Sequence, residues 1–178
     1  MKNLLFDIEA TGLLRQNSQI HCIVVRDLDN PDSDALVFDT VKDNVAEGVK
    51  LLESADVLSG HNICGYDLPL IQELFPAFKL PKKLLDTLIL SRIYYSTLDK
   101  RDFERRPYGL HKRLYGSHGL KAWGYRLGCL KGEFAESNDW HTYTPEMLEY
   151  CIQDTTVNLR LFELLHQQLP ENDQLAHD

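Results

Sequence analysis

Lys2-Asn3-Leu4-Leu5-Phe6-Asp7-Ile8-Glu9-Ala10-Thr11-Gly12-Leu13-Leu14 is the stretch whose reading decides the fold. Its first positions are mostly apolar and predict a buried strand over Asn3–Glu9. Two carboxylates then follow two residues apart. Side chains alternate faces along a strand, so Asp7 and Glu9 point the same way. Two like charges on one face repel, and keeping both ionised calls for a cation between them. Oxygen ligands favour a hard divalent ion such as Mg2+ or Mn2+. The opening stretch therefore predicts a metal-dependent enzyme.

Working outward, Ile20–Asp27 and Ala35–Thr40 also read as strands, separated by a turn over Asp29–Asp34 that holds Asn30 and Pro31. Together the three strands predict an antiparallel meander. Val45, Val49 and Leu52 recur at helical spacing and predict a helix over Asn44–Ala55. A short strand at Asp56–Ser59 then makes a β-α-β crossover. Gly60–Gly65 is a loop, followed by helices over Asp67–Phe75 and Asp86–Tyr95. Lys100–Gly116 shows no periodicity and reads as a long loop rich in charge and aromatics. Ser117 is the expected N-cap of a helix to Leu127. Thr144-Pro145-Glu146 combines a capping threonine, a proline at the first position and an early acid, and starts a helix running to Gln168. Residues 1–170 are expected to form one domain and 171–178 a polar tail.

Composition narrows the function classes. A chain of 178 residues with 43% hydrophobic residues can bury one full core. No apolar run approaches the roughly 18 residues of a membrane span, so no membrane partner is expected. No signal peptide is visible. Cys22, Cys64, Cys129 and Cys151 are scattered without a C-x-x-C pair, which indicates neither a zinc site nor a disulfide framework and fits a reducing cytoplasm. The net charge of −8 argues against broad charge-driven nucleic-acid binding. It leaves room for a small site whose carboxylates are neutralised by bound metal. Arg101, Arg105, Arg106, Lys112 and Arg113 form a local basic group interleaved with Phe103, Tyr108 and Tyr115.

Two further motifs join the opening pair. His61-Asn62-Ile63-Cys64-Gly65-Tyr66-Asp67 puts an acid after a glycine-containing loop, at a helix start. In Tyr150-Cys151-Ile152-Gln153-Asp154 the tyrosine and aspartate are four apart and share a helical face. Brought together, Asp7, Glu9, Asp67 and Asp154 would form a site for two divalent ions.

The order D-x-E, loop-D, Y-x-x-x-D resembles the DEDD (DnaQ-like) 3′–5′ exonucleases of RNase H-like fold, on their tyrosine-bearing DEDDy branch. It is similar to the proofreading exonuclease domains of T-seven-type family A phage DNA polymerases. Leu85-Asp86-Thr87-Leu88-Ile89-Leu90-Ser91-Arg92 and Gly116-Ser117-His118-Gly119-Leu120-Lys121-Ala122-Trp123-Gly124-Tyr125-Arg126-Leu127-Gly128 extend the resemblance, which runs to about Leu169. It implies an α/β fold: a mixed sheet with its first three strands antiparallel, flanked by helices.

Residue by residue, the resemblance implies that Asp7, Glu9, Asp67 and Asp154 bind two Mg2+ or Mn2+ ions. Tyr150 would orient or deprotonate the attacking water; a phenol, with a reference pKa of about 10, is a poor base near neutral pH, so orientation is the easier role. Leu13 would wedge between terminal bases, Ala10, Thr11 and Gly12 would line the path of the terminal nucleotide, and His61 and Asn62 would contact its sugar or phosphate. The implied activity is hydrolysis of single-stranded or frayed DNA 3′ ends to nucleoside 5′-monophosphates, as a stand-alone exonuclease or an excised domain. Proofreading beside a separately encoded DNA polymerase is the implied setting, in the host cytoplasm for a phage-encoded protein.

Two other readings stay open at this point: an exoribonuclease of the same superfamily, and a non-catalytic subunit that binds polymerase or DNA. Local alternatives also stand beside the functional ones. Asp67 could serve as a helix N-cap, and Asp86 suits an N-cap or a supporting role better than a ligand's. His61 and His118 fit hydrogen-bonded roles beside a carboxylate site, and Trp123 and Tyr125 fit the core. The basic group fits a solvated loop or a surface for DNA or polymerase.

Overall fold

Strand β1 (Asn3–Ala10) is the middle strand of a five-stranded mixed sheet in the computed structural model, which describes residues 1–12, 14, 18–129 and 140–169. On one side it pairs antiparallel with β2 (Ile20–Asp27), which pairs antiparallel with β3 (Leu36–Asp39). On the other it pairs parallel with β4 (Val57–Gly60), which pairs parallel with β5 (Lys83–Asp86). The sheet order is β3-β2-β1-β4-β5. The expected meander and crossover are both present, with α1 (Val45–Glu53) in the crossover.

Alternation along β1 sorts its side chains into two layers. Leu4, Phe6, Ile8 and Ala10 join Val49 and Leu52 of α1, and Leu68, Leu70 and Ile71 of α2 (Asp67–Leu74). On the other face, Leu5 packs with Leu159 and Phe162 of α6 (Pro145–His166). Leu5 and Phe6 are completely buried, each worth about 1.5–3 kcal/mol to the fold. Asp7 and Glu9 continue the Leu5 face, which brings them beneath α6. That helix starts as its sequence predicts: the Thr144 hydroxyl accepts from the Met147 N–H at 3.2 Å, with Pro145 in the first turn.

The pairing of β1 with β4 covers only Asn3↔Val57 to Leu5↔Ser59. The sheet therefore opens at the carboxyl ends of these strands, where open α/β sheets place their ligand clefts. At Gly60 an added Cβ would lie 2.8 Å from the Phe6 carbonyl and 2.3 Å from Ile63 Cγ2, so only glycine fits this approach. The chain then turns through Asn62 at a φ of 63°.

Three expectations need correction. Strand β5 occupies the segment before the expected helix, which begins as α3 (Thr87–Tyr94) with Asp86 as its N-cap. Only Leu84 and Leu85 are apolar in β5, and its strand character comes from pairing with β4 rather than from a pattern. The expected loop over Lys100–Gly116 overlaps α4 (Leu98–Arg105) and contains a 3-10 turn over Lys112–Leu114. The buried residues of α4 are Leu98 and Asp102, which leaves no apolar periodicity to read. Asp102 pairs at 2.7 Å with Arg126 of α5 (Leu120–Leu127), the two side chains being 2% and 7% exposed. Finally, Gly119 rather than Ser117 is the N-cap of α5; the Ser117 hydroxyl accepts from the Gly119 N–H at 3.3 Å. Trp123 is buried as expected, whereas Tyr125 is half-buried. Among the described residues no helix is long and apolar enough to cross a membrane. The expected polar tail, 171–178, lies outside the described residues.

Candidate active site

Three elements deliver the acids to one cleft of about 470 Å³ at the open end of the sheet. Strand β1 supplies Asp7 and Glu9, the start of α2 supplies Asp67, and α6 supplies Tyr150 and Asp154. Asp67 is the first residue of α2, and its N-cap is Tyr66. Its carboxylate turns toward β1 and takes a hydrogen bond from the backbone of Ile8, in the stretch of β1 beyond its pairing with β4.

The electrostatics follow from crowding in a low-dielectric setting. Asp7 opens to the cleft but is otherwise enclosed by protein. Burial first, then Glu9, Asp67 and Asp154, push its carboxyl well above the ordinary range; the Cys151 thiol, donating at 3.5 Å, opposes the shift. Burial, followed by Cys22, Asp154 and Asp67, raises Glu9 to about 9. Burial raises Asp67 to about 7 against the backbone hydrogen bonds it accepts, and Asp154 to about 6 against the hydrogen bond it accepts from Tyr150. The Tyr150 phenol itself is driven upward by burial, Asp154 and Glu9. It is a neutral donor across the physiological range.

These residues fit a divalent ion. Asp7, Glu9 and Cys151 offer ligand atoms that all lie within 4.8 Å of one another, and the other two acids line the same cleft. Carboxylates that burial and mutual repulsion drive toward protonation are the set a hard cation would return to the ionised form.

The loop before α2 forms a second wall. His61 and Asn62 both line the cleft. His61 Nδ1 is 2.9 Å from the Thr87 hydroxyl, which donates to Asn158 Oδ1 at 2.7 Å. Burial lowers His61 to about 4 despite the nearby Asp86, so the imidazole is neutral. Asp86 takes the supporting role expected of it: its carboxylate caps α3 and accepts from the Asn62 and Cys64 N–H groups at 3.0 and 3.1 Å. His118 contacts the Ser91 hydroxyl at 3.0 Å and is not among the residues lining the cleft.

Ala10, Thr11 and Gly12 stand apart from the cleft lining. Ala10 is buried and pairs with Ile20 past a bulge. The Thr11 hydroxyl accepts from the Gln19 N–H at 2.9 Å and closes the β1–β2 connection. Gly12 reaches the cleft indirectly, its carbonyl accepting a hydrogen bond from the cleft-lining Tyr66. Leu13 lies outside the described residues.

Tyr66, Lys121 and Trp140 also line the cleft, with no local signal in the sequence to mark them, and Cys151 is buried beside Asp7. Trp140 packs edge-on to Tyr150 with centroids 6.0 Å apart, and its carbonyl lies 3.1 Å from His21 Nε2. Cys151 had a readable signal. It sits between Tyr150 and Asp154 on a helix whose inward face meets β1, so the next position also meets the sheet.

Comparison with known proteins agrees with this architecture. The chain matches the RNase H superfamily over residues 4–166. It is 32% identical over 200 residues to the DNA-directed DNA polymerase of Escherichia phage T7, and 31% identical over 203 residues to that of Enterobacteria phage T3. These alignments cover 94% and 96% of this chain but 27% and 28% of the polymerases, so the chain spans about a quarter of those relatives. Among solved structures, the fold is similar to the Aedes aegypti Nibbler EXO domain, with a TM-score of 0.64 at 13% identity, covering 96% of this chain and 80% of that one. Brucella melitensis NrnC aligns with a TM-score of 0.61 at 20% identity, covering 94% and 73%. With the match spanning nearly the whole sheet and every helix described above, this chain belongs to the RNase H superfamily.

Proposed function

We propose that this chain is a 3′–5′ exodeoxyribonuclease that removes nucleoside 5′-monophosphates from single-stranded or frayed DNA ends. The observation that carries this reading is the convergence of Asp7, Glu9, Asp67, Asp154 and Tyr150 on one cleft. Asp7, Glu9, Asp67 and Asp154 would hold two divalent ions, Mg2+ or Mn2+, which supply water activation and stabilisation of the leaving oxygen.

The protein's own groups have separable tasks. Tyr150, a neutral donor tied to Asp154, orients the attacking water and fixes the Asp154 carboxylate. His61 and Asn62, held by Thr87 and Asp86, present neutral polar groups to the terminal sugar and phosphate. Tyr66 ties Gly12 to the cleft through its carbonyl, and Leu13, next in the sequence, would wedge the terminal base. An unstacked terminal nucleotide is required by such a site, which favours single strands. Residues 1–170 form this exonuclease domain and 171–178 a polar tail. The phage polymerase relatives support a setting beside a DNA polymerase.

Digestion of 3′- and 5′-labelled single strands, with and without EDTA, tests polarity and metal dependence together. Matched DNA and RNA oligonucleotides separate deoxyribonuclease from ribonuclease action through the 2′-OH. Asp7→Ala with Asp154→Ala should abolish cleavage while the fold persists. Wild-type rates in that double variant would remove the proposal, and failure to cut any 3′ end with Mn2+ present would favour a non-catalytic role.

A further inference from the structure

The segment from Leu98 to Lys121 is unlike the rest of this acidic chain. Cations outnumber acids there by seven to three, while the whole chain carries −8. One of the three acids, Asp102, is buried and consumed by Arg126. Lys100, Arg105, Arg106 and Lys112 are all exposed. Large aromatics are exposed among them: Phe103 is 62% and Tyr108 99% open to solvent. Phe103 and Tyr115 pack in a T-shaped pair with centroids 5.1 Å apart.

This surface is held in place. The Arg126 guanidinium binds Asp102 of α4 through two hydrogen bonds, and also donates to the Leu114 carbonyl of the 3-10 turn and to the Ser117 carbonyl. The Gly116 N–H adds a bond to Asp102 at 2.8 Å. The chain then runs directly into Gly119, Leu120 and Lys121, which line the active-site cleft. At most about 18 Å of extended chain separates Leu114 from Gly119. One buried arginine therefore fixes a cationic, aromatic surface to the wall of the cleft.

The geometry points to this α4 and 3-10 arm as the binding track for the single strand running 5′ of the terminal nucleotide. Backbone phosphates would meet the cations, and unstacked bases would meet Phe103 and Tyr108, the two ingredients of sequence-independent single-strand binding. The inference rests on the exonuclease reading of the cleft, and it adds where the substrate goes after leaving it.

The test compares Lys100→Gln/Arg105→Gln/Lys112→Gln and Phe103→Ala/Tyr108→Ala with wild type. Binding of a 16-nucleotide oligo-dT is measured in EDTA across a salt series, and cleavage of that oligonucleotide and of the dinucleotide pTpT is measured with Mg2+. The charge variant should bind the long strand roughly 10- to 100-fold more weakly at 0.1 M salt, with a log–log salt slope shallower by about 2. The aromatic variant should lose roughly tenfold with its slope unchanged. Both should cut the dinucleotide at wild-type rates. Long-strand binding equal to wild type in both variants overturns the inference and leaves the arm as a surface for a protein partner. If wild type cuts neither substrate, the exonuclease reading fails, and the binding series still decides the track.

Discussion

Glu9→Gln should make the metal-free protein more stable, by an amount that grows with pH. Glu9 is raised from 4.5 to about 9, mainly by burial. Between those limits the folded state binds a proton that the unfolded state has released. Stability is therefore complete below about pH 4.5 and falls as pH rises toward 9, at up to about 1.4 kcal/mol per pH unit. From pH 5 to pH 8 that loss reaches about 4 kcal/mol, an upper bound because neighbouring carboxylates share the strain. A neutral amide of similar shape carries no such term. Urea denaturation in EDTA at pH 5, 6.5 and 8 should show the variant's advantage widening by about 2–4 kcal/mol over the series. Saturating Mg2+ should then stabilise wild type, by about 2.7 kcal/mol at one hundred times its dissociation constant, and most strongly at the alkaline end. A wild-type midpoint in EDTA that stays level from pH 5 to 8, with no advantage for Glu9→Gln, would refute the reasoning. The acids would then be solvated rather than crowded.

Three other perturbations probe separate parts of the molecule. Tyr150→Phe removes the hydrogen bond to Asp154 and should lower single-turnover cleavage by roughly 10- to 100-fold while preserving the shape of the pH–rate profile; loss of an ionisation from that profile would make Tyr150 a base. Asp102→Ala leaves Arg126 buried without its carboxylate and should cost about 3–5 kcal/mol by urea titration, whereas Asp102→Leu with Arg126→Met should recover part of this. Burial alone would raise Asp102, but hydrogen bonds from Arg126 and the Gly116 N–H outweigh it, so this pair's contribution is present above the ordinary aspartate range and fades as pH falls through it. Gly60→Ala forces a methyl against the Phe6 carbonyl and Ile63 and should lower stability by about 1–3 kcal/mol, visible as a reduced Tm.

Much of this was legible in the sequence because the relevant signals are local. Alternation in Asn3–Ala10 placed Asp7 and Glu9 on one face, and the spacing of Tyr150 and Asp154 placed them on one side of α6. The resemblance joined those pieces to Asp67, since no local rule brings a helix start against the middle of a distant strand. What stayed hidden depends on partners far along the chain. Strand β5 exists through its pairing with β4, and α4 exists through an ion pair with Arg126, so neither shows a hydrophobic period. Cys151 falls between the two cases: its three-residue spacing from Asp154 on α6 is local and readable, whereas its contact with Asp7 spans 144 residues.

The bond from the Ile8 backbone to Asp67 gives the protein an internal probe of its own chemistry. An amide proton held by a carboxylate senses that carboxylate's charge and position directly, without any label. Any event that recruits Asp67, whether protonation or the arrival of a cation, must alter the shift and exchange rate of one assigned backbone resonance. Occupancy of the cleft could thus be followed residue by residue in the resting protein, before a single phosphodiester is cut.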